Sequence, residues 1–219
     1  MRSQDETRRR GERARRSVCV LALCSLLLPW AAQGQDVPVP VETHVPICIK
    51  ALTFDRSLPK RAGDEIVFAI LFQPRYLASN STHDEALHVV RDLGIDDING
   101  IPVRYVSIPV SDEADIERAV LDSEADILYV APLRAVSLDA ITRVSREHDV
   151  MTCSGVDGYG EAGLTLTVAA RAEKPEIVIN YTAMTEEGVD FTAQLLGYAR
   201  VLNYREAGAN ATGAGRRAR

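Results

Sequence analysis

The stretch from Glu65 to Phe72, Glu-Ile-Val-Phe-Ala-Ile-Leu-Phe, is the feature that most restricts the fold. After its first residue it is apolar without a break, and it is too short for a buried helix. That combination describes a strand covered on both faces, the usual state of a strand inside a parallel sheet. Asp126 to Ala131 repeats the pattern, and Val103 to Val110 and Val150 to Cys153 read as further strands. Helical patterns fall between them. Thr82-His83-Asp84-Glu85 has the form of a capping box that opens a helix running to about Leu93, with Gly94 just past its end. Asp112 to Leu121 follows Ser111, and Leu138 to Glu147 follows the next strand. Strands that alternate with short helices predict an α/β fold with a mostly parallel sheet flanked by helices. The close differs. Leu164 to Ala170, a turn at Glu173-Lys174-Pro175, and Glu176 to Tyr181 predict a C-terminal antiparallel hairpin. A final helix is expected from Ala183 to about Tyr204. At the front, His44 to Leu58 has helical spacing, with Pro46 in its first turn and Pro59 ending it.

The N-terminus predicts export. Seven arginines precede an apolar run from Val18 to Leu28, and Ala31-Ala32-Gln33-Gly34 supplies small residues for cleavage. Positive, apolar and small, in that order, is the form of a signal peptide. A bilayer-spanning helix needs about 20 apolar residues, more than this run provides. The expected organisation is a signal peptide over 1–34, cleaved near Gly34, a linker over 35–43, a single domain over 44–204 and a disordered tail over 205–219. The expected location is outside the cytoplasm. Removing 1–34 takes away 7 of 25 basic and 3 of 31 acidic residues and leaves a net charge of −10. An acidic, exported chain is a poor partner for nucleic acid or anionic membrane surfaces. No membrane span is expected after cleavage.

Catalytic patterns are missing. The sequence has no G-x-S-x-G elbow, no H-E-x-x-H and no C-x-x-C. His83, His88 and His148 are expected to be solvated surface residues, and no catalytic, metal or cofactor site is predicted. Gly155-Val156-Asp157-Gly158-Tyr159-Gly160 follows a strand, so Gly155, Asp157, Gly158 and Gly160 form a candidate ligand loop. No helix follows to hold a phosphate, so the reading preferred is a flexible connection into the hairpin. With the leader gone, two cysteines remain. Cys48 and Cys153 are a candidate disulfide in an oxidising compartment, and the alternative is two small buried apolar residues lying apart. Asn180, at a strand end, is placed to close the turn into the last helix.

The last third carries a family resemblance in the order of its motifs. A glycine loop from Gly158 to Leu164 leads into a hairpin ending in Ile177-Val178-Ile179-Asn180. The segment Leu195-Leu196-Gly197-Tyr198-Ala199-Arg200-Val201 follows. Upstream stand Lys50-Ala51-Leu52-x-Phe54, the strand from Ile66, and Asp126-Ile127-Leu128-Tyr129-Val130. This order resembles the YfiR/HmsC-like periplasmic proteins over about residues 44–203, with Gly163, Asn180, Leu195 and Leu196 as family-motif positions. Two departures stand out: Phe54 to Pro59 replaces an aromatic-Pro end of the first helix, and a paired glycine is split into Gly160 and Gly163. The resemblance implies a non-enzymatic regulatory protein that represses a membrane-bound diguanylate cyclase by binding its periplasmic part, and so lowers cyclic-di-GMP and biofilm formation. The first helix would then be a natural docking surface. The competing expectation is a periplasmic small-ligand binding protein serving a transporter or sensor. A homodimer is compatible with either.

Overall fold

The computed structural model describes residues 37–204. The leader and its cleavage site lie outside the described residues, as does the tail from 205. In chain order the elements are α1 (Val41–Leu52), α2 (Leu58–Ala62), β1 (Ile66–Phe72), α3 (Leu77–Leu93), β2 (Asp97–Ile98) and β3 (Ile101–Pro109). After a short 3-10 turn at Glu113–Asp115 come α4 (Ile116–Ser123), β4 (Ile127–Val130), α5 (Leu138–Glu147) and β5 (Met151–Ser154). The chain closes with β6 (Leu166–Arg171), β7 (Lys174–Asn180), α6 (Tyr181–Glu186), α7 (Ala193–Tyr198) and β8 (Arg200–Leu202).

The fold is α/β. The strands form one sheet in the order β2-β3-β1-β4-β5-β6-β7-β8. β1 lies parallel to both β3 and β4, and the parallel pairing continues through β5 to β6. β6 and β7 form the antiparallel hairpin, and β8 returns parallel to β7. All seven residues of β1 are buried, as its apolar run requires. Their alternation divides the core. Phe68 and Ile70 pack under α1 and α3 with Val45, Cys48, Leu52, Ala86 and Val90. Ala69 and Leu71 face α4 and α5, with Ile116, Val120, Ile141 and Val144.

Four boundaries differ from the sequence pattern. The first helix begins at Val41, so Pro46 lies inside it, and Pro59 opens α2 rather than ending a long helix. α3 starts at Leu77, five residues before Thr82. Thr82 is therefore a buried residue of the helix interior and Thr82-Glu85 is not its cap. Instead the Ser79 hydroxyl accepts a bond from the Gln73 N–H and fixes the incoming turn. The hairpin turns at Ala172 and Glu173, both at positive φ, and Lys174 and Pro175 already belong to β7. The expected long last helix is two short helices and a strand. Gly188, at φ 67°, breaks it: that left-handed backbone is open to glycine and cannot continue a right-handed helix.

Candidate functional site

The path of the chain through the sheet places one cleft. From β1 it moves through α3 to β3 on one side, then returns across to β4 on the other. The loops after β1 and β4 consequently leave for opposite faces of the sheet. A crevice opens between such loops at the carboxyl ends of the strands, where open α/β sheets receive ligands. Here it is a cavity of ≈ 220 Å³ lined by Gln73, Pro74, Arg75, Tyr76, Val110, Ser111, Arg134 and Ala135. The buried Gln73 side chain joins its two walls. Its Oε1 accepts bonds from the backbone N–H groups of Arg134 (2.6 Å) and Ala135 (3.2 Å). Among the described residues, eight arginines bond or pair with carboxylates: Arg56, Arg61, Arg104, Arg118, Arg143, Arg146, Arg171 and Arg200. Among the described residues Arg75, Arg91 and Arg134 have no such partner; Arg91 lies outside this cleft, and Arg75 and Arg134 line it. Sequence reasoning missed them. The one available signal was Gln73-Pro74-Arg75 standing directly after a buried strand.

The glycine loop is a packed junction. Gly155 lies against the ring of His44, leaving no space for a side chain. That ring is fully buried. Its Nδ1 faces the Val39 carbonyl at 2.9 Å, an acceptor only, so Nδ1 carries the proton and Nε2 accepts the Tyr129 hydroxyl at 2.6 Å. Burial lowers the pKa of His44 and keeps it neutral, and it drives the Tyr129 hydroxyl far above its ordinary value. The rings stack, with centroids 5.8 Å apart. The Gly160 carbonyl accepts a bond from Asn180 Nδ2, while Asn180 Oδ1 caps α6 through the Ala183 N–H. Gly158 and Gly163 both have positive φ, and Gly163 lies against Arg146 and Thr142. Asp157 is exposed. The loop therefore ties α1, β4, β6 and β7 together, and its glycines serve close packing and tight turns.

Cys48 and Cys153 are brought together. Both are buried free thiols, neighbours across the interface of α1 and β5. Burial pushes the Cys153 thiol well up. Leu195 is buried, and Leu196 is half-buried beside the same core. His83 corrects an expectation. It is buried, stacks on Phe72 with centroids 3.7 Å apart, and bonds Ser107 and Asp84. It is held because α3 begins early and turns that position toward the sheet. His88 is exposed and reaches Asp92 at 3.3 Å. Glu117, Glu147 and His148 each bring one ligand atom within 4.8 Å of the others. Arg143 already pairs both carboxylates, at 3.8 and 3.1 Å, and supplies their countercharge.

Residues 76–200 match the family described as YfiR/HmsC-like. The chain belongs to the YfiR/HmsC-like family. The matched span takes in the middle strand, the glycine loop, Asn180 and the Leu195-Leu196 pair; the first helix and β1 precede it. No curated protein matches the sequence. A conserved domain protein from Vibrio cholerae O1 biovar El Tor has a similar solved structure, with 14% identity and a TM-score of 0.51 over 74% of this chain and 60% of that one. An ABC domain from Streptococcus pneumoniae, in complex with L-Trp, gives 13% identity and a TM-score of 0.48 over 69% of this chain and 61% of that one. This YfiR/HmsC-like chain thus spans about 60% of the length of the solved structures it resembles. The Vibrio likeness concerns the fold alone.

Proposed function

We propose that this protein is an exported, non-enzymatic regulator that acts in the periplasm through protein contacts, holding down the output of a membrane-bound diguanylate cyclase. The observation that carries the reading is the family match over residues 76–200. Two others agree with it. An exported protein affects a cytoplasmic nucleotide only through a membrane partner, and among the described residues no helix is long and apolar enough to cross a membrane. His44, Tyr129, Cys48, Cys153 and Glu187 are buried in the core; His44 and Tyr129 bond each other, His44 also bonds the Val39 carbonyl, and Glu187 accepts bonds from the Ser145 and Thr152 side chains and the Thr152 N–H. Their burial supports a structural role for them.

The surface available to a partner is not the first helix as a whole. α1 buries Val41, His44, Val45, Cys48, Ile49, Ala51 and Leu52 against the sheet and leaves Glu42 and Lys50 exposed. Deleting the gene raises cyclic-di-GMP and biofilm mass, and the tagged protein retrieves an inner-membrane protein with a cyclase domain. Unchanged cyclic-di-GMP together with no membrane partner in the pull-down would refute the reading.

A further inference from the structure

We propose that the cleft between Gln73–Tyr76, Val110–Ser111 and Arg134–Ala135 binds a small carboxylate or phosphate anion, whose acid oxygens are held by Arg75 and Arg134. Four observations support this.

The first is charge. In a chain with more acidic than basic residues, an arginine ordinarily finds a carboxylate, and eight of the described arginines do. Of the three that do not, Arg75 and Arg134 line a single cavity, and Arg91 stands outside it. Placing two like charges together without a counterion is unfavourable, and an anion between them removes that cost. The nearest carboxylates in sequence are occupied elsewhere. Asp112 accepts the Ala114 N–H, and Glu113 accepts the Ser137 N–H at 2.9 Å. Neither lines the cavity.

The second is architecture. Gln73 is buried, and its carboxamide oxygen bonds two successive backbone N–H groups of the opposite loop. The loop that carries Arg134 is thereby fixed relative to the loop that carries Arg75. A site whose walls are set in advance loses less freedom on binding.

The third is position, at the point where strand order reverses. The fourth is size and lining. At ≈ 220 Å³ the cavity is below the about 300–1,000 Å³ usual for drug-sized ligands, so the occupant is compact. Val110, Pro74, Ala135 and the Tyr76 ring offer apolar surface to a short carbon body, and Ser111 adds a hydroxyl. Guanidinium forks match carboxylate and phosphate oxygens in pairs.

This inference does not rest on the cyclase reading, and it is tested on purified protein without a partner. Titration calorimetry with succinate and with inorganic phosphate is expected to show saturable binding of at least one of them at millimolar concentrations or below. Succinamide, which keeps the carbon body and lacks the charge, is expected to give no heat. Arg75→Gln and Arg134→Gln are each expected to weaken binding about 10- to 100-fold, the loss of a charge-assisted hydrogen bond. Because both side chains are exposed and unpaired, the variants should melt with the wild type in the absence of anion. Arg91→Gln, which removes an exposed arginine outside the cleft, is expected to bind as wild type does. Backbone amide shifts on titration should concentrate at residues 73–76, 110–111 and 133–135. Absence of binding to both anions overturns the proposal, as does binding that Arg75→Gln and Arg134→Gln leave intact. Amide shifts scattered over the surface, without a cluster at the cleft, overturn it too.

Discussion

A Cβ at position 155 would stand 2.5 Å from both nitrogens of the His44 ring, and neither partner has room to retreat. The ring is bonded at both nitrogens, and Gly155 follows directly on β5. Gly155→Ala is therefore expected to destabilise the protein by about 1–3 kcal/mol or more, the usual cost of overpacking a filled core. Urea unfolding measures it, and an unchanged midpoint would show that the loop can yield. Glu187 is the second residue whose surroundings dictate an outcome. Its carboxylate is buried without a cation and accepts bonds from Ser145 Oγ, Thr152 N and Thr152 Oγ1. Burial raises its pKa, and those donors offset the rise only in part. The folded value thus lies above the unfolded 4.5, so the protonated form favours folding. That contribution is complete below the unfolded value and is lost as pH rises through the folded one. Compared with Glu187→Gln, the wild type should lose stability on going from below pH 4.5 toward neutrality, by no more than about 1.4 kcal/mol per pH unit. Parallel stability–pH curves for the two proteins would remove Glu187 as the cause. The two thiols complete this scale. Buried as free thiols, Cys48 and Cys153 are expected to be inert to a thiol-titrating reagent in the native reduced protein and to react fully in denaturant. Rapid native labelling would contradict their burial.

Among the elements, the turn between α1 and α2 is tied to the break after α6, over a long separation in sequence. Asp55 Oδ1 accepts bonds from Ser57 and from the Asp190 N–H, while Oδ2 pairs with Arg61 at 2.8 Å. Both side chains of that pair are nearly enclosed, at 9% and 0% exposure. Burial alone would raise the Asp55 carboxyl, but the Ser57, Arg61 and Asp190 donors outweigh it and hold it below its ordinary value. Asp55→Ala strands Arg61 and the Asp190 N–H together, and is expected to cost about 3–5 kcal/mol, as losing one partner of a buried ion pair does. Thermal denaturation of the variant checks this; a loss below 1 kcal/mol, the range of exposed pairs, would mean the junction is solvated. This tie also explains what the sequence left hidden. The runs of β1 and β4 were legible because burial on both faces leaves no charged residue in them. The junction was illegible because its partners, Asp55 and Asp190, are ordinary surface residue types that only the fold brings together. Apolar spacing continued from Ala183 through Leu202, so a long helix was expected although Gly188 stood inside the run. The start of α3 was equally hidden. Its N-cap, Tyr76, makes no side-chain cap bond, while Thr82-Glu85 imitates one from the interior. In the cleft, Gln73 and the two arginines belong to loops whose meeting depends on strand order, which no local pattern encodes.

For the whole molecule the sheet sets a gradient of stability. β1 pairs with β3 along its length and with β4 from Phe68 to Leu71, with covered faces above and below, and β4 continues that arrangement between β1 and β5. At the margins, β2 has two residues paired to β3 alone, and β8 has three half-buried residues paired only to β7. Local opening depends on how much burial and pairing is lost, so edge strands open at lower free energy than the centre. Native-state hydrogen exchange is accordingly expected to leave the amides of Phe68 to Leu71 and Leu128 to Val130 protected up to global unfolding. Amides of β2 and β8 should exchange first. The loops of the cleft fall between these limits, because 73–76 and 131–136 leave the best-protected strands and combine buried residues, Gln73, Ala131, Leu133 and Val136, with exposed ones, Pro74, Arg75, Arg134 and Ala135. Saturation with a bound anion should raise protection in those loops and leave β2 and β8 unchanged. Uniform protection across the sheet would mean that it opens only as a unit, and that the cleft can respond to a ligand only with the whole fold.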